Sequence, residues 1–526
     1  MVFRSPHPDL SIPNQSLTSF VLHGAAQRPS KPALVDGPSG RTLTYSQFAD
    51  AVARVGSALA RRGVRKGDVV GLYSSNLPEY AVVLYAVASL GAVSTTANPS
   101  STPEELAIQL ADAGARYLFA GQSVATEAAT AARLSRVEKV FVFGAADGLT
   151  PFDSLLVGVG TLPDVEISPQ DDVVALPYSS GTTGLNKGVM LTHHNLVANL
   201  RQLEQLNIVT EHDVLIGVLP FYHIYGMVCV LHQSLHRGST LVTLPHFELE
   251  QFLNTIQDCA VTIAHLVPSI MHQLAGNTCI EEYNLSSLRS VISGGAPLSA
   301  ELSLACAERL RCTVWQGYGL TECSPVTHHS DSSTPPGSIG RCISNTESRI
   351  VDPETGGAIG SGELGELLVR GPQVMKGYLH DPDATAHTID VDGWLHTGDV
   401  AYVDEQGNFY VVDRLKELIK YKGYQVAPAE IEGVLLGHPA VCDAAVIGSR
   451  DEDAGEVPKA YVVLTRDAEP DAVVRFVDER VAPHKRIRRI EVVDEIPRAP
   501  SGKILRRVLI ERDRRQTCER HDHLVR

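Results

Sequence analysis

Residues 178–188 read Tyr178-Ser179-Ser180-Gly181-Thr182-Thr183-Gly184-Leu185-Asn186-Lys187-Gly188. An apolar run from Val173 leads into this stretch, and helical spacing begins near His193-His194-Asn195 after it. Glycine lets the backbone approach a ligand closely, and clustered hydroxyl and N–H groups donate to anionic oxygens. Lys187 adds a point charge. The composition predicts a loop that wraps phosphate. It is not a Walker A loop, which needs Gly directly before its Lys and Ser or Thr directly after. Here Asn186 precedes Lys187 and Gly188 follows it, so a P-loop nucleoside triphosphatase is disfavoured.

Outward from the loop, strand and helix patterns alternate. Residues 48–62 have amphipathic helical spacing, 69–72 read as a buried strand, and 77–90 read as a helix ending at Gly91. Further strands are expected at 140–143, 173–178, 214–219, 241–244 and 262–266. Repeated βα units imply parallel sheets covered by helices. From about Gly337 the texture becomes β-rich, with strands expected at 363–370 and 407–412. Beyond Asp413-Arg414-Leu415-Lys416 the tail has its own strands (444–447, 460–464) and a helix (471–480). The expected fold class is α/β: a large N-terminal domain of βα sheets with a small β-rich subdomain (1–412), a hinge (413–416) and a small mobile α+β C-terminal domain (417–526).

Composition narrows the function. The chain has 526 residues, more than one hydrophobic core usually organises. Its formal charge of −16 makes it a poor general binder of nucleic acid. Any phosphate must be held locally. Nine scattered cysteines without a C-x-x-C pair fit a reducing, cytoplasmic setting better than a disulfide framework. Prolines stand where a secretory leader would be apolar, and no apolar run reaches the ~18–20 residues of a membrane span.

Tyr-Ser-Ser-Gly-Thr-Thr-Gly-x-x-Lys-Gly resembles the signature of the adenylate-forming superfamily of acyl-CoA ligases, luciferases and peptide-synthetase adenylation domains. Asn186 stands where that family commonly has proline. Further motifs follow in family order. Leu219-Pro220-Phe221-Tyr222-His223-Ile224-Tyr225-Gly226 resembles the motif that sets His223 beside the adenylate. Gln316-Gly317-Tyr318-Gly319-Leu320-Thr321-Glu322 is similar to the adenine-and-metal motif, which implies Thr321 on the α-phosphate and Glu322 on Mg²⁺. Gly393-Trp394-Leu395-His396-Thr397-Gly398-Asp399 is similar to the ribose motif, with Asp399 accepting the hydroxyls and Arg414 supporting them. Asp413, Arg414 and Lys416 match the hinge, and Lys416 also joins the nucleotide set. Lys420, Lys422 and Gly423 fall in the segment that lines the thiol tunnel. Pro497-Arg498-Ala499-Pro500-Ser501-Gly502-Lys503 resembles the C-terminal catalytic loop, with Lys503 its lysine.

The resemblance implies an AMP-forming acid–CoA ligase using ATP, Mg²⁺ and coenzyme A. The carboxylate attacks the α-phosphorus, pyrophosphate leaves, and the thiol then expels AMP. Lys503, Thr321, Glu322, His223 and Lys420 are the implied catalytic set. Ser179, Ser180, Gly181, Thr182, Thr183, Gly184, Lys187, Gln316, Gly317 and Tyr318 join Asp399, Arg414 and Lys416 around the nucleotide. Within the superfamily the likeness is nearest to 4-coumarate–CoA ligases, through His223-Ile224-Tyr225, Ser324-Pro325-Val326, Gln425-Val426-Ala427-Pro428 and Gly371-Pro372-Gln373-Val374-Met375-Lys376-Gly377-Tyr378-Leu379. It implies an acyl pocket of Tyr225, Cys229, Ile292, Gly295, Gly319, Pro325, Val326 and His329, suited to a planar cinnamate. Gly295 replaces a common alanine, His329 a bulkier apolar residue, and His246 a CoA-contacting lysine. A medium- or long-chain fatty acid is the alternative substrate. A luciferase-like oxygenase and an enzyme that loads a carrier protein are the alternative activities. Cys229 and Cys323 are read as small buried hydrophobes near the acyl pocket.

Overall fold

The computed structural model describes residues 1–180, 186–422, 424–451, 453–465, 469–498, 502 and 504–524. Its core is a pair of large sheets facing one another across buried helices. In the first, Val173–Ser180, Val93–Ala97, Val69–Tyr73, Ala115–Gly121, Lys139–Phe143 and Thr150–Pro151 run parallel, in the order 173, 93, 69, 115, 139, 150. In the second, Thr313–Gly319, Ser290–Ser293, Ile263–Leu266, Val214–Gly217, Thr240–Thr243 and Pro32–Asp36 are likewise parallel neighbours. The helix Pro78–Ser89 is buried on nearly every side, so it lacks a polar face, as a helix between two layers should. Its neighbour Tyr45–Arg61 has one apolar stripe and begins with a Thr44–Gln47 capping box.

Both sheets carry antiparallel edges that the βα reading did not anticipate. The phosphate-loop segment does not pass from strand to helix. Val173–Ser180 pairs antiparallel with Asn186–Thr192, and only then does the helix His193–Gln205 begin, capped by Thr192. Short polar and glycine residues around Lys187 hide this second strand from propensity. Its apolar half, Val189 and Leu191, is buried.

The β-rich piece is a separate sheet in the order Phe3–Arg4, Glu347–Val351, Gly365–Arg370, Leu395–Val403, Phe409–Arg414. Its first strand comes from the other end of the chain, and no local pattern could announce that pairing. The strand before the hinge, Phe409–Arg414, runs two residues past its expected end. Val400 pairs with Asp413 and Asp399 with Arg414, so half of the expected hinge lies inside a ladder.

After it, Ile419–Tyr421, Tyr424–Val426, Val441–Asp451, Gly455–Leu464 and Arg489–Val492 form one sheet, with helices Pro428–Leu436, Pro470–Asp478 and Arg506–Leu524. This sheet and its helices have their own apolar cluster, including Ile419, Ile431, Leu435, Val446, Val462 and Val473. Among the described residues no helix is long and apolar enough to cross a membrane.

Candidate active site

The carboxyl ends of the strands Val173–Ser180 and Thr313–Gly319 meet where the two large sheets converge, the usual place for ligands in open parallel sheets. Ser179 Oγ donates to Glu322 Oε1 at 2.9 Å. Tyr378 Oη donates to the same oxygen at 2.9 Å. Glu322 stands in the short helix Thr321–Cys323, whose backbone is pinned by Met375 N donating to Glu322 O. Three segments far apart in sequence thus fix one carboxylate. Burial and the adjoining Glu322 raise the Tyr378 phenol well above its ordinary pKa, so it stays a donor.

Mg²⁺ is a hard ion that keeps few protein carboxylates and completes its shell with phosphate and water oxygens. Among the described residues no group of three or more His, Cys, Asp or Glu could hold a metal. A single anchored carboxylate, Glu322, therefore fits an ion shared with a nucleotide and does not fit a structural metal site.

On the other side of the motif, Tyr318 Oη donates to Asp399 Oδ2 at 2.6 Å, and Arg414 Nε contacts Oδ1 at 3.0 Å. Asp399 is buried, and the register Asp399↔Arg414 holds the ion pair across neighbouring strands. Tyr318 was expected among the residues around the nucleotide. Its hydroxyl anchors the aspartate. Lys187 pairs with Asp381 at 3.2 Å and lies over the Tyr378 ring at 5.1 Å. Ser180 pairs with Asn186 through the backbone. Gly181, Thr182, Thr183, Gly184, Gly423 and Lys503 lie outside the described residues.

Several acyl-pocket positions do converge. Tyr225 opens the π-helical segment Tyr225–His232, donates to Ile292 O at 3.0 Å, and has Cys229 within electrostatic reach. His223 Nδ1 accepts from Tyr225 N at 3.3 Å. His329 pairs with Gly317, and Val326 with Gly319.

Two of these glycines also meet a demand of the backbone. A Cβ on Gly319 would stand 1.9 Å from Pro325 O. Gly295 has φ 81°, a conformation that side chains rarely tolerate, so the absent alanine methyl is not simply pocket width. Burial raises both the Cys229 and Cys323 thiols, consistent with inert hydrophobes. Cys323, however, packs with Ile339, Cys342 and Leu367 under the small β-sheet, away from the acyl positions.

Lys416, Lys420, Lys422 and His246 are solvent-exposed. Gly502, next to Lys503, is seated against the large body: a Cβ there would lie 3.0 Å from Ser269 Oγ and 3.2 Å from Val267 Cγ2. Around the hinge, Arg506 pairs with Glu417 and Glu432, both at 2.7 Å. Asp413 accepts from Arg414 N and Ala429 N. Sequence reasoning missed Tyr378, Asp381, Arg506 and Glu432. Tyr378 lay inside a motif already quoted, but nothing local marked it as a partner of Glu322.

An α/β body with an anchored carboxylate, a clamped aspartate and a small second domain docked above them defines the class of adenylating enzymes. The chain belongs to the AMP-binding enzyme family: that family's profile matches residues 21–379, and the profile of its C-terminal domain matches 430–503. The chain is 42% identical over 523 residues to 4-coumarate–CoA ligase 3 of Oryza sativa subsp. japonica, covering 97% of this chain and 94% of that one. It is 41% identical over 538 residues to 4-coumarate–CoA ligase 1 of Arabidopsis thaliana (97% and 95% covered). Among solved structures, ATP-bound MatB from Rhodopseudomonas palustris superposes with a TM-score of 0.87 at 28% identity, over 95% of this chain and 99% of that one. The anthranilate CoA ligase AuaEII with anthranoyl-AMP gives 0.88 at 28% identity, over 95% and 97%.

Proposed function

We propose that this chain joins 4-coumarate, or another cinnamate, to coenzyme A by way of an acyl-adenylate. The observation that carries the reading is Glu322, held by Ser179 and Tyr378 on one side of the Gly317–Thr321 stretch while Tyr318 and Arg414 hold Asp399 on the other. Two fixed carboxylates flanking one strand end suit a nucleotide lying between them. Asp399 accepts from the ribose hydroxyls, and Glu322 would hold Mg²⁺ beside the phosphates. When bound, the ion supplies charge neutralisation to the phosphate oxygens. Thr321 and Lys503 donate to the α-phosphate as charge builds there.

The acid's carboxylate oxygen bonds to the α-phosphorus, and the bond to pyrophosphate breaks. The thiol sulfur then bonds to the acyl carbon, loses its proton to solvent, and AMP leaves. The seating of Gly502 against Ser269 and Val267 supports an arrangement that brings Lys503 to the first step. The exposed Lys420 and Lys422 would face the site after the C-terminal domain, residues 417–526, turns about 413–416. The cinnamate assignment is supported by near full-length similarity to 4-coumarate–CoA ligases. A cytoplasmic setting is supported by cysteines that are free wherever described.

The test is nucleotide product analysis with Mg²⁺, ATP and 4-coumarate, with and without CoA. AMP, pyrophosphate and a CoA thioester are expected. ADP with phosphate as the products would overturn the reading.

A further inference from the structure

The segment that carries Lys503 is closed at its base by its own backbone. Leu505 N donates to Pro497 O at 2.8 Å, and Arg498 and Ile504 form an antiparallel bridge. Across this base the Arg498 guanidinium uses all three of its nitrogens. Nη1 donates to Gly502 O at 2.8 Å. Nη2 and Nε form a fork on Asp443, at 2.6 Å to Oδ1 and 3.2 Å to Oδ2. Asp443 follows a bulge in the strand Val441–Asp451: Val441 pairs with Leu464 and Asp443 with Val463, so Cys442 is the extra residue. A bulge re-aims the side chain beside it. Asp443 Oδ1 also accepts from Ala444 N at 2.8 Å, which fixes the carboxylate.

Gly502 and Ile504 are the chain neighbours of Lys503. The first is held by Arg498 and the second by the bridge. The same cluster rests on the large body. Gly502 is seated against Val267 and Ser269, at the start of helix Pro268–Gly276. His272, one turn along that helix, is within electrostatic reach of both Asp443 and Arg498. One helix of the large body thus faces both ends of the Arg498 tie. Stability alone does not account for the pair. The Arg498 and Asp443 side chains are 27% and 29% exposed, and ion pairs open to solvent add little to folding.

We infer that Arg498 is a positioning residue for adenylation: it ties the carbonyl next to Lys503 to Asp443, and so sets the reach of that lysine toward the α-phosphate while the segment rests on helix Pro268–Gly276. This rests on the proposed acid–CoA ligation and on the part Lys503 plays in it. Arg498 acts through the peptide before Lys503 and is not itself catalytic. Its planar fork lets one side chain hold a carboxylate and a carbonyl at once, which a lysine's single ammonium does less well. Thioester formation does not use Lys503, so it does not need the tie.

The experiment measures each half-reaction at single turnover: pyrophosphate release from ATP and 4-coumarate, and conversion of preformed 4-coumaroyl-adenylate to the thioester by CoA. Wild type is compared with Arg498→Met, Arg498→Lys, Lys503→Ala and the double variant Arg498→Met with Asp443→Asn. Arg498→Met should slow pyrophosphate release about 30-fold, between the loss of one charged hydrogen bond and the ~100-fold cost of a misplacement of about 1 Å. The half-saturating ATP concentration should hardly move, and thioester formation should stay within about threefold of wild type. Arg498→Lys should recover part of the loss. The double variant should be no slower than Arg498→Met, because the two residues act as a unit. A merely structural role would lower the thermal midpoint and both half-reactions together. Equal loss in both, or pyrophosphate release untouched by Arg498→Met, overturns the inference while leaving the ligase reading intact. Pyrophosphate release that survives Lys503→Ala, or is absent from wild type, would instead sink the reading beneath it.

Discussion

Glu322 shows how much a single side chain depends on its holders. Its carboxylate receives two hydroxyl protons on one oxygen, from Ser179 and Tyr378. Glu322→Gln keeps shape and removes charge. Pyrophosphate release should fall by about 100-fold or more, as expected when a fixed electrostatic partner of the reacting phosphates is lost. Tyr378→Phe removes one of the two donors. It should cost about 1 kcal/mol, roughly fivefold in kcat/KM for ATP, with the thermal midpoint almost unmoved. A pyrophosphate assay at varied Mg²⁺ checks both. Glu322 was legible as a residue because Thr-Glu after a glycine-rich strand end has few other uses. Tyr378 was not. Its partnership with Glu322 spans 56 positions and exists only after Gly377–Tyr378 pairs with the strand Asn186–Thr192. Gly295 and Gly319 were legible as glycines, but the φ of the one and the carbonyl's approach to the other are not written in composition.

Elements are tied by charges that periodicity cannot see. Helix Arg506–Leu524 sends Arg506 to Glu417, beside the hinge, and to Glu432 on helix Pro428–Leu436. Burial pushes the Glu432 carboxyl up to about 7, and the guanidinium opposes that rise. Arg506→Ala leaves a buried acid without its partner and should destabilise the C-terminal domain by about 3–5 kcal/mol. Arg506→Met with Glu432→Leu should recover most of it. Urea melts followed by limited proteolysis of the C-terminal domain distinguish the two.

In the large body, Glu204 ends helix His193–Gln205 facing His236 at 3.4 Å and Arg237 at 3.0 Å. The hydrogen bond from His236, with help from Arg201, holds its pKa down to about 2. Its folded pKa is below the unfolded value. The unfolded chain therefore binds the proton first as pH falls, and stability is lost between about 4.5 and 2. Glu204→Gln should flatten the fall of thermal midpoint across that range. The helices Tyr45–Arg61, Pro78–Ser89 and Pro470–Asp478 were legible from spacing. The edge strands Asn186–Thr192 and Phe3–Arg4 were not, because short polar strands owe their form to a partner.

At the scale of the molecule, the proposed mechanism needs two arrangements of the C-terminal domain around one nucleotide. Lys503→Ala should abolish pyrophosphate release but leave the reaction of preformed 4-coumaroyl-adenylate with CoA within about threefold of wild type, because only the first arrangement uses that lysine. Single-turnover measurements of each half-reaction check this, and equal loss of both would remove Lys503 from its assigned role. The sequence by itself determined the class of fold and the phosphate chemistry. Apolar periodicity dictates which segments must be buried, and a run of small, hydroxyl-bearing and cationic residues has few physical uses other than holding an anion. Tertiary structure alone decided which groups share a proton or a charge: Tyr378 with Glu322, Tyr318 with Asp399, and His265 with Tyr225. Those pairings join residues 40 to 81 positions apart. Hydrogen bonding acts over about 3 Å, so it is set by which strands lie side by side and cannot be read from order along the chain.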